Sequence, residues 1–154
     1  ALRLSMAKAQ AVAAQHPDAI VIGSDQTATL DGLATIGKPG TLARAREQLR
    51  QASGRALTFH SGLAVVRPAT GFARAQVVDT VVRFRALSDQ AIDTYLRLEP
   101  ALDCAGSAKA EGLGIALMSG FASDDPTAIV GLPLIALTHL LQAAGLDLLD
   151  RTLP

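Results

Sequence analysis

The chain has 154 residues, which suits one domain that can bury a core without disulfides or metal. Apolar residues make up 49% of the chain and aromatic residues only 3%, so Ala, Val, Leu and Ile must form the core. Lys and Arg total 14, as do Asp and Glu, and this balance excludes a global field that would attract nucleic acid or an anionic membrane.

The chain has a single cysteine, Cys104, so it cannot form an internal disulfide. It shows neither a signal-peptide pattern nor an apolar run near the length of a membrane span. We therefore expect a soluble, cytoplasmic protein without nucleic-acid or membrane partners. Helical spacing of apolar residues begins at Leu2 with no capping residue before it, so we expect the natural beginning of the chain to lie upstream.

We expect the opening helix to end at about His16. The segment that follows it is the first to suggest a chemical function. Ala19 to Ile22 reads as a short buried strand, and Gly23-Ser24-Asp25 follows it. Ligands of α/β folds gather at the carboxyl ends of strands, so Asp25 is a candidate functional carboxylate at a strand end. Asp31-Gly32, between two extended runs, predicts a hairpin.

The middle of the chain alternates capped helices with long extended segments. The predicted elements are a loop over 37–40, a helix over 42–52 capped by Thr41, strands over 56–67 and 72–87 joined by a turn over 68–71, and a helix over 89–98 capped by Ser88. In the second long strand, Val78, Thr80, Val82 and Phe84 share one face.

The last third is richer in glycine and less regular. The predicted elements are a functional loop over 103–114, a strand over 113–118, a polar loop over 119–127, a helix entered at Pro133 and ended at Gly145, and a final strand over 146–149. This order of helices and strands predicts an α/β domain with a mixed sheet.

Several short motifs occur in one order along the whole chain. They are Lys8-Ala9, Gly23-Ser24-Asp25-Gln26, Gly37-Lys38-Pro39, Ser53-Gly54 with His60, Thr80 to Phe84, Ala105 to Gly112, and Val130 to Leu134. Together they resemble the Maf family of nucleotide pyrophosphatases. The acidic motif in the form Ser24-Asp25-Gln26 and the late loop in the form Ala110-Glu111-Gly112 resemble its YceF-like branch, which is associated with 7-methyl-GTP. The dTTP/UTP branch carries Thr after the Asp and Gln before the late Gly.

The resemblance implies a single Maf-like domain over 1–154 that is incomplete at its N-terminus. The implied fold is the Maf/inosine-triphosphatase-like α/β fold, a mixed twisted sheet with flanking helices in two lobes around a cleft. The implied activity is that of a hydrolase acting on acid anhydrides, which cleaves a nucleoside triphosphate between its α and β phosphates. The implied cofactor is a divalent cation, Mg²⁺ or Mn²⁺.

The resemblance also assigns roles to individual residues. Asp25 matches the family's proton acceptor and could ligate the metal as well. Lys8, Lys38 and Lys109 could neutralise the triphosphate. Gln26 and Glu111 match positions tied to base selectivity, and a carboxylate at Glu111 would suit the positive charge of a 7-methylated guanine.

One departure from the family pattern opens an alternative function. The Ser-rich, Arg-containing phosphate loop that normally opens the family's chains would lie upstream of Ala1. The alternatives are therefore a nucleotide-binding remnant with weak or no activity, and a dTTP/UTP pyrophosphatase. A sheet without its first strands would also expose an edge, which a homodimer could cover.

Each of these residues also has an ordinary structural interpretation. Asp25 could cap a turn, Lys8 and Lys38 could be solvated charges, and Lys109 could form a surface ion pair with Glu111. Further residues that we expect to be structural are His60 as a hydrogen-bonded histidine, Cys104 as a small buried side chain, and Asp124-Asp125 as a turn or helix start.

Overall fold

The computed structural model describes residues 1–150 of the chain. Its helices are α1 Leu2–Ala13, α2 Leu42–Ala52, α3 Asp89–Leu98 and α4 Leu134–Ala143. Its strands are β1 Val21–Leu30, β2 Ala34–Ile36, β3 Ala56–Arg67, β4 Phe72–Phe84 and β5 Met118–Ala122. Short 3-10 helices cover Pro68–Thr70, Ala105–Ser107, Leu113–Leu117 and Ala128–Val130. The α/β class predicted from the sequence is confirmed.

The five strands form one sheet in the order β2-β1-β3-β4-β5. β1 pairs antiparallel with β2, and β4 pairs antiparallel with β5. β3 and β4 are neighbours joined by Pro68–Thr70 and Gly71, which makes them the predicted hairpin. None of the helices within residues 1–150 is long and apolar enough to cross a membrane.

The residues divide into two compact units, and β1, β3 and β4 contribute to both. The first unit contains Ala1–Asp25, Ser61–Val78 and the described residues from Asp125 on. The second contains Gln26–His60 and Asp79–Asp124.

The first unit is organised around the buried half of β3. Leu63 and Val65 pack against α4, whereas Ala64 and Val66 pack in a cluster with α1. Successive residues of a strand point to opposite faces, so β3 is covered by apolar side chains on both of its faces.

In the second unit, α2 and α3 are joined at their surfaces by two arginine–aspartate pairs. Arg50 makes two hydrogen bonds of 2.7 and 2.8 Å with Asp89, and Arg46 lies 2.7 Å from Asp93. Both helices begin at the predicted caps, because Thr41 accepts from the Arg44 amide and Ser88 accepts from the Ala91 amide.

The first correction concerns β1, which does not end at Asp25 but continues to Leu30. Asp25 therefore lies in mid-strand, and the strand-end prediction was wrong. Gly23 looked like a strand terminator, but it keeps an extended backbone in contact with α1. The predicted turn follows later, where Asp31 and Gly32 both have positive φ, as short acidic and glycine residues can.

Further corrections fall in the last third of the chain. Leu113–Leu117 is a 3-10 helix and not a strand, because the Gly112–Gly114 turn closes onto Lys109 and Glu99. The strand comes next, as β5, where we had predicted a polar loop. The segment 146–149 is not a strand, since Asp147 closes a turn by accepting from the Leu149 amide.

Asp125 lies in a turn before the 3-10 helix Ala128–Val130, as the sequence predicted, and its carboxylate also binds amides in the first turn of α4. Asp125 is 2% exposed, and its carboxylate accepts hydrogen bonds from the Thr127 hydroxyl and from the amides of Thr127, Ile135 and Ala136. Burial alone would raise the pKa of Asp125, but these hydrogen bonds outweigh burial and lower it.

We predict that Asp125→Ala lowers the free energy of unfolding by about 1–3 kcal/mol, because buried amides lose their acceptor. Because the pKa of Asp125 is lower in the folded state than its ordinary value of 3.8, its carboxylate stabilises the fold above pH 3.8. This contribution is lost as the pH falls through the pKa of the folded state. Urea unfolding of both proteins at pH 7 and below pH 3 measures the difference. Asp124→Ala, at an exposed neighbour, is the control and should cost little.

Candidate active site

The site is built on a backbone contact between α1 and β1. The buried face of α1 consists of small residues, Ser5, Ala9 and Ala13. Opposite them, a Cβ on Gly23 would lie 2.2 Å from the Ser5 carbonyl oxygen and 2.9 Å from the Ala9 Cβ. Such distances are shorter than any non-bonded contact, so this approach requires glycine at position 23.

The close approach places Lys8 of α1 beside Asp25 of β1. The Lys8 ammonium donates to Asp25 Oδ1 at 2.8 Å and to the Ser24 carbonyl oxygen at 3.0 Å. The Asp25 side chain is 15% exposed and that of Lys8 is 55% exposed. Two residues that the sequence picked out separately are therefore brought together. A pair this open contributes about 1 kcal/mol or less to stability, so its value lies in where it places the charges.

Serine hydroxyls anchor the backbone around Asp25. Ser24 Oγ lies 2.5 Å from the Gly131 carbonyl oxygen and 3.1 Å from that of Gly62. Ser61 is fully buried and donates to the Ala128 carbonyl oxygen at 2.6 Å. β1 and β3 are thus bonded to the Ala128–Gly131 segment that precedes α4.

The other candidate residues belong to the second unit. Gln26 follows Asp25 on the opposite face of β1 and is half-buried. Lys38 is exposed, and its ammonium makes no hydrogen bond or ion pair with the described residues. Its loop is held by Gln48 of α2, which donates to the Gly37 carbonyl oxygen at 3.1 Å. The same Gln48 accepts a 2.5 Å hydrogen bond from Ser107.

The loop from Lys109 to Gly114 carries two predicted residues, and the structure changes their pairing. Lys109 forms its ion pair with Asp103, at 3.4 Å, and not with Glu111. A backbone hydrogen bond and Lys109 lower the pKa of Asp103, and Asp103 in turn raises that of Lys109. The Glu111 carboxylate is exposed and has no hydrogen bond or ion pair within residues 1–150.

Helix α3 and its C-cap residue support this loop with two side chains that sequence reasoning did not single out. The Tyr95 hydroxyl accepts from the Lys109 amide at 3.2 Å, and Glu99 Oε2 accepts from the Gly114 amide at 3.1 Å. No local sequence signal marked them, since Glu99 is the C-cap of α3 and its backbone is not helical. Desolvation on burial, followed by weaker effects of Glu99 and Cys104 and opposed by the Lys109 amide, raises the pKa of Tyr95 to about 12.

His60 is a hydrogen-bonded histidine, as the sequence predicted, whereas Cys104 is less buried than predicted. The two ring nitrogens of His60 lie 3.1 Å from the Thr29 hydroxyl and 2.6 Å from Asp79 Oδ1, which links three strands of the second unit. Cys104 is partly buried, and burial raises the pKa of its thiol, so it is not an activated nucleophile.

Comparison with known proteins identifies the family. The model of the Maf-like protein family matches residues 1–144. The chain belongs to the Maf family.

Similar proteins include one from Bordetella pertussis that is 62% identical over 149 residues, covering 96% of this chain and 72% of the relative. A protein from Cupriavidus pinatubonensis is 59% identical, covering 94% of this chain and 72% of the relative. A protein from Aromatoleum aromaticum is 55% identical, covering 94% of this chain and 74% of the relative. All three are named 7-methyl-GTP pyrophosphatase. The Maf resemblance predicted from the ordered motifs is confirmed.

The donor set around Asp25 limits how a metal ion could bind. Within residues 1–150, no group of three or more His, Cys, Asp or Glu side chains could enclose a metal ion. Asp25 therefore belongs to no such three-residue cluster within residues 1–150, and Lys8 lies beside it. Such a donor fits a cation that takes most of its remaining ligands from substrate phosphates and water, as Mg²⁺ commonly does.

We predict that Gly23→Ala separates α1 from β1 and lowers the free energy of unfolding by about 1–3 kcal/mol, since the added methyl overlaps the Ser5 carbonyl oxygen. Chemical denaturation measures this loss. Gly37→Ala is the matched control, because a Cβ there meets nothing within 4 Å. Equal stability of the two variants would contradict the backbone contact.

We predict that the phenol of Tyr95 ionises near pH 12. In the unfolded chain the phenol ionises near its ordinary pKa of 10, so between pH 10 and pH 12 only the folded state keeps the proton. The free energy of unfolding therefore falls across this range by on the order of 2 kcal/mol. Tyr95 is the only tyrosine and the chain has no tryptophan, so ultraviolet absorbance of the phenolate reports it directly. Tyr95→Phe should lack both the absorbance change and this part of the alkaline loss.

Proposed function

We propose that the chain is a nucleotide pyrophosphatase that hydrolyses 7-methyl-GTP between its α and β phosphates, releasing the monophosphate and pyrophosphate. The observation that carries the proposal is the Lys8–Asp25 pair, a carboxylate and an ammonium held 2.8 Å apart by a helix–strand contact that only glycine permits. The names of the Maf relatives, 55–62% identical, support the same activity.

In this proposal Asp25 is the proton acceptor. Lys8 bonds to Oδ1, and the N-terminal ammonium of Ala1 lies 4.0 Å from Oδ2, beyond hydrogen-bond distance. We therefore assign Oδ2 to the water that attacks the α phosphorus. Lys8 uses two of its three N–H groups on Asp25 and on the Ser24 carbonyl, which leaves one for a phosphate oxygen. The pair thus combines the base with part of the charge that stabilises the departing pyrophosphate.

A divalent cation, Mg²⁺ or Mn²⁺, belongs to the same proposal. Asp25 would supply its protein oxygen ligand beside the phosphates of the nucleotide. The chemistry that the cation supplies when bound is neutralisation of phosphate charge.

The remaining candidate residues are proposed as substrate contacts. Lys38 has no partner within residues 1–150, and the pair that Lys109 forms with Asp103 is exposed, so either ammonium can turn to a phosphate at little cost. Glu111 has an equally uncommitted carboxylate, which suits the cationic ring of 7-methylguanine. Gln26 completes the proposed set of base-selective side chains.

The two alternatives have less support. The relatives' names favour neither a binding remnant nor a dTTP/UTP pyrophosphatase. Titration calorimetry with 7-methyl-GTP, followed by product analysis, separates a remnant from an enzyme, since a remnant binds without releasing pyrophosphate. The homodimer and the cytoplasmic location stay predictions.

We predict that Asp25→Asn reduces pyrophosphate release from 7-methyl-GTP in the presence of Mg²⁺ or Mn²⁺ at least ~100-fold, the typical contribution of a general base. A coupled pyrophosphate assay measures kcat and KM. Asp18→Asn removes the same charge from an exposed position and should leave both unchanged. Normal turnover by Asp25→Asn would rule out the role assigned to Asp25.

We predict that the double change Gln26→Thr with Glu111→Gln moves the preference away from 7-methyl-GTP and toward dTTP and UTP. The reason is that the carboxylate facing the cationic base becomes neutral. The measurement is kcat/KM for each nucleotide, with Glu47→Gln, an exposed carboxylate on α2, as control. An unchanged ranking of substrates would remove the assignment to the 7-methyl-GTP branch.

A further inference from the structure

Tyr95 of α3 and Glu99, the C-cap residue of the same helix, hold both ends of the loop from Lys109 to Gly114. Tyr95 and Glu99 accept hydrogen bonds from the amides of the first and last residues of this loop. Tyr95 is 3% exposed, and a hydrogen bond with Glu99 contributes to its raised pKa, so the two acceptors also act on each other. The loop therefore rests on a small, largely buried polar network.

The middle of the loop is fitted to the same carboxylate. A Cβ on Gly112 would lie 2.2 Å from Glu99 Oε1 and 2.9 Å from its Cδ, so the Gly112 backbone lies directly on the carboxyl group. A Cβ on Gly114 would lie 2.4 Å from the Lys109 carbonyl oxygen. Both glycines thus allow close packing, and the turn between them has little room for another backbone path.

Glu111 stands at the top of this turn. Its own side chain is exposed and has no partner within residues 1–150, so its position is determined by the backbone beneath it. A carboxylate on a mobile loop would have to be ordered when the nucleotide binds, at a cost to affinity. A carboxylate on a fixed loop avoids most of that cost.

We propose that Tyr95 and Glu99 are positioning residues for nucleotide selectivity, which act by holding the Lys109–Gly114 backbone so that Glu111 faces the base. The inference rests on the proposed function, since it assigns the loop to base recognition. Neither residue touches the nucleotide in this scheme. Loss of either anchor loosens substrate binding and leaves the chemical step at Asp25 in place.

The test compares Tyr95→Phe, Glu99→Ala, Glu99→Gln and Gly112→Ala in the whole chain, using 7-methyl-GTP and GTP as substrates. We expect KM for 7-methyl-GTP to rise about tenfold in Glu99→Ala with kcat within about twofold of the unchanged chain, because uniform binding is lost. The ratio of kcat/KM between the two nucleotides should fall. Glu99→Gln keeps an acceptor oxygen and should restore much of the selectivity.

A double-mutant cycle tests the Gly112–Glu99 contact. Gly112→Ala should lower selectivity alone but add little in the Glu99→Ala background, because both changes disturb one contact. Thr94→Ala is the control, since it removes an exposed hydroxyl from the same helix. Full additivity of Gly112→Ala and Glu99→Ala would overturn the proposal, as would unchanged nucleotide selectivity in Glu99→Ala.

Amide hydrogen exchange separates failure of this inference from failure of the proposed function. The Gly114 amide should exchange faster in Glu99→Ala, and the Lys109 amide faster in Tyr95→Phe, with or without activity. If the unchanged chain releases no pyrophosphate from either nucleotide while these amides respond as expected, the proposed function is wrong and the anchoring stands. Unchanged exchange at both amides would overturn the anchoring itself.

Discussion

The first unit depends on one steric constraint, the absence of a side chain at Gly23. Because the buried residues of α1 are small, the two backbones come close enough for a lysine on the helix to reach an aspartate on the strand. A larger residue at position 23 would move the helix outward and with it the ammonium. Packing and chemistry are therefore set by the same contact, and the ion pair needs little binding energy of its own to persist.

Local signals in the sequence predicted most of the fold. Thr41 and Ser88 cap helices in the structure because their hydroxyls accept from backbone amides within the same turn, and Asp31-Gly32 turns the chain because both residues tolerate positive φ. The errors fall where distant contacts override local pattern. Gly23 was misread as a strand end, since only the position of α1 explains it. The apolar run 113–117 was misread as a strand, since Glu99 and Lys109 fold it into a turn.

The same distinction applies to the candidate site. Asp25, Lys8, Lys38, Lys109, Gln26 and Glu111 were recognisable because they lie in short motifs whose order resembles a family. The residues that contact and support them could not be recognised from the sequence. Asp103 as the partner of Lys109, and Tyr95, Glu99 and Gln48 as supports, are determined by distances between segments that lie far apart in sequence. Motifs identify the groups that we propose to meet a ligand, whereas the residues that fix those groups become visible only in three dimensions.

The two hydrogen bonds of Gln48 restrict which changes in sequence the fold can tolerate. One amide side chain bonds to the Gly37 carbonyl through its nitrogen and to the Ser107 hydroxyl through its oxygen, so two lysine-bearing loops share one fastening. An insertion in either loop would pull on the other. Divergence in substrate is then easier by exchanging side chains on a fixed backbone than by remodelling a loop. The structure thus favours substitutions in the loops that carry Lys38 and Lys109 over insertions or deletions in them.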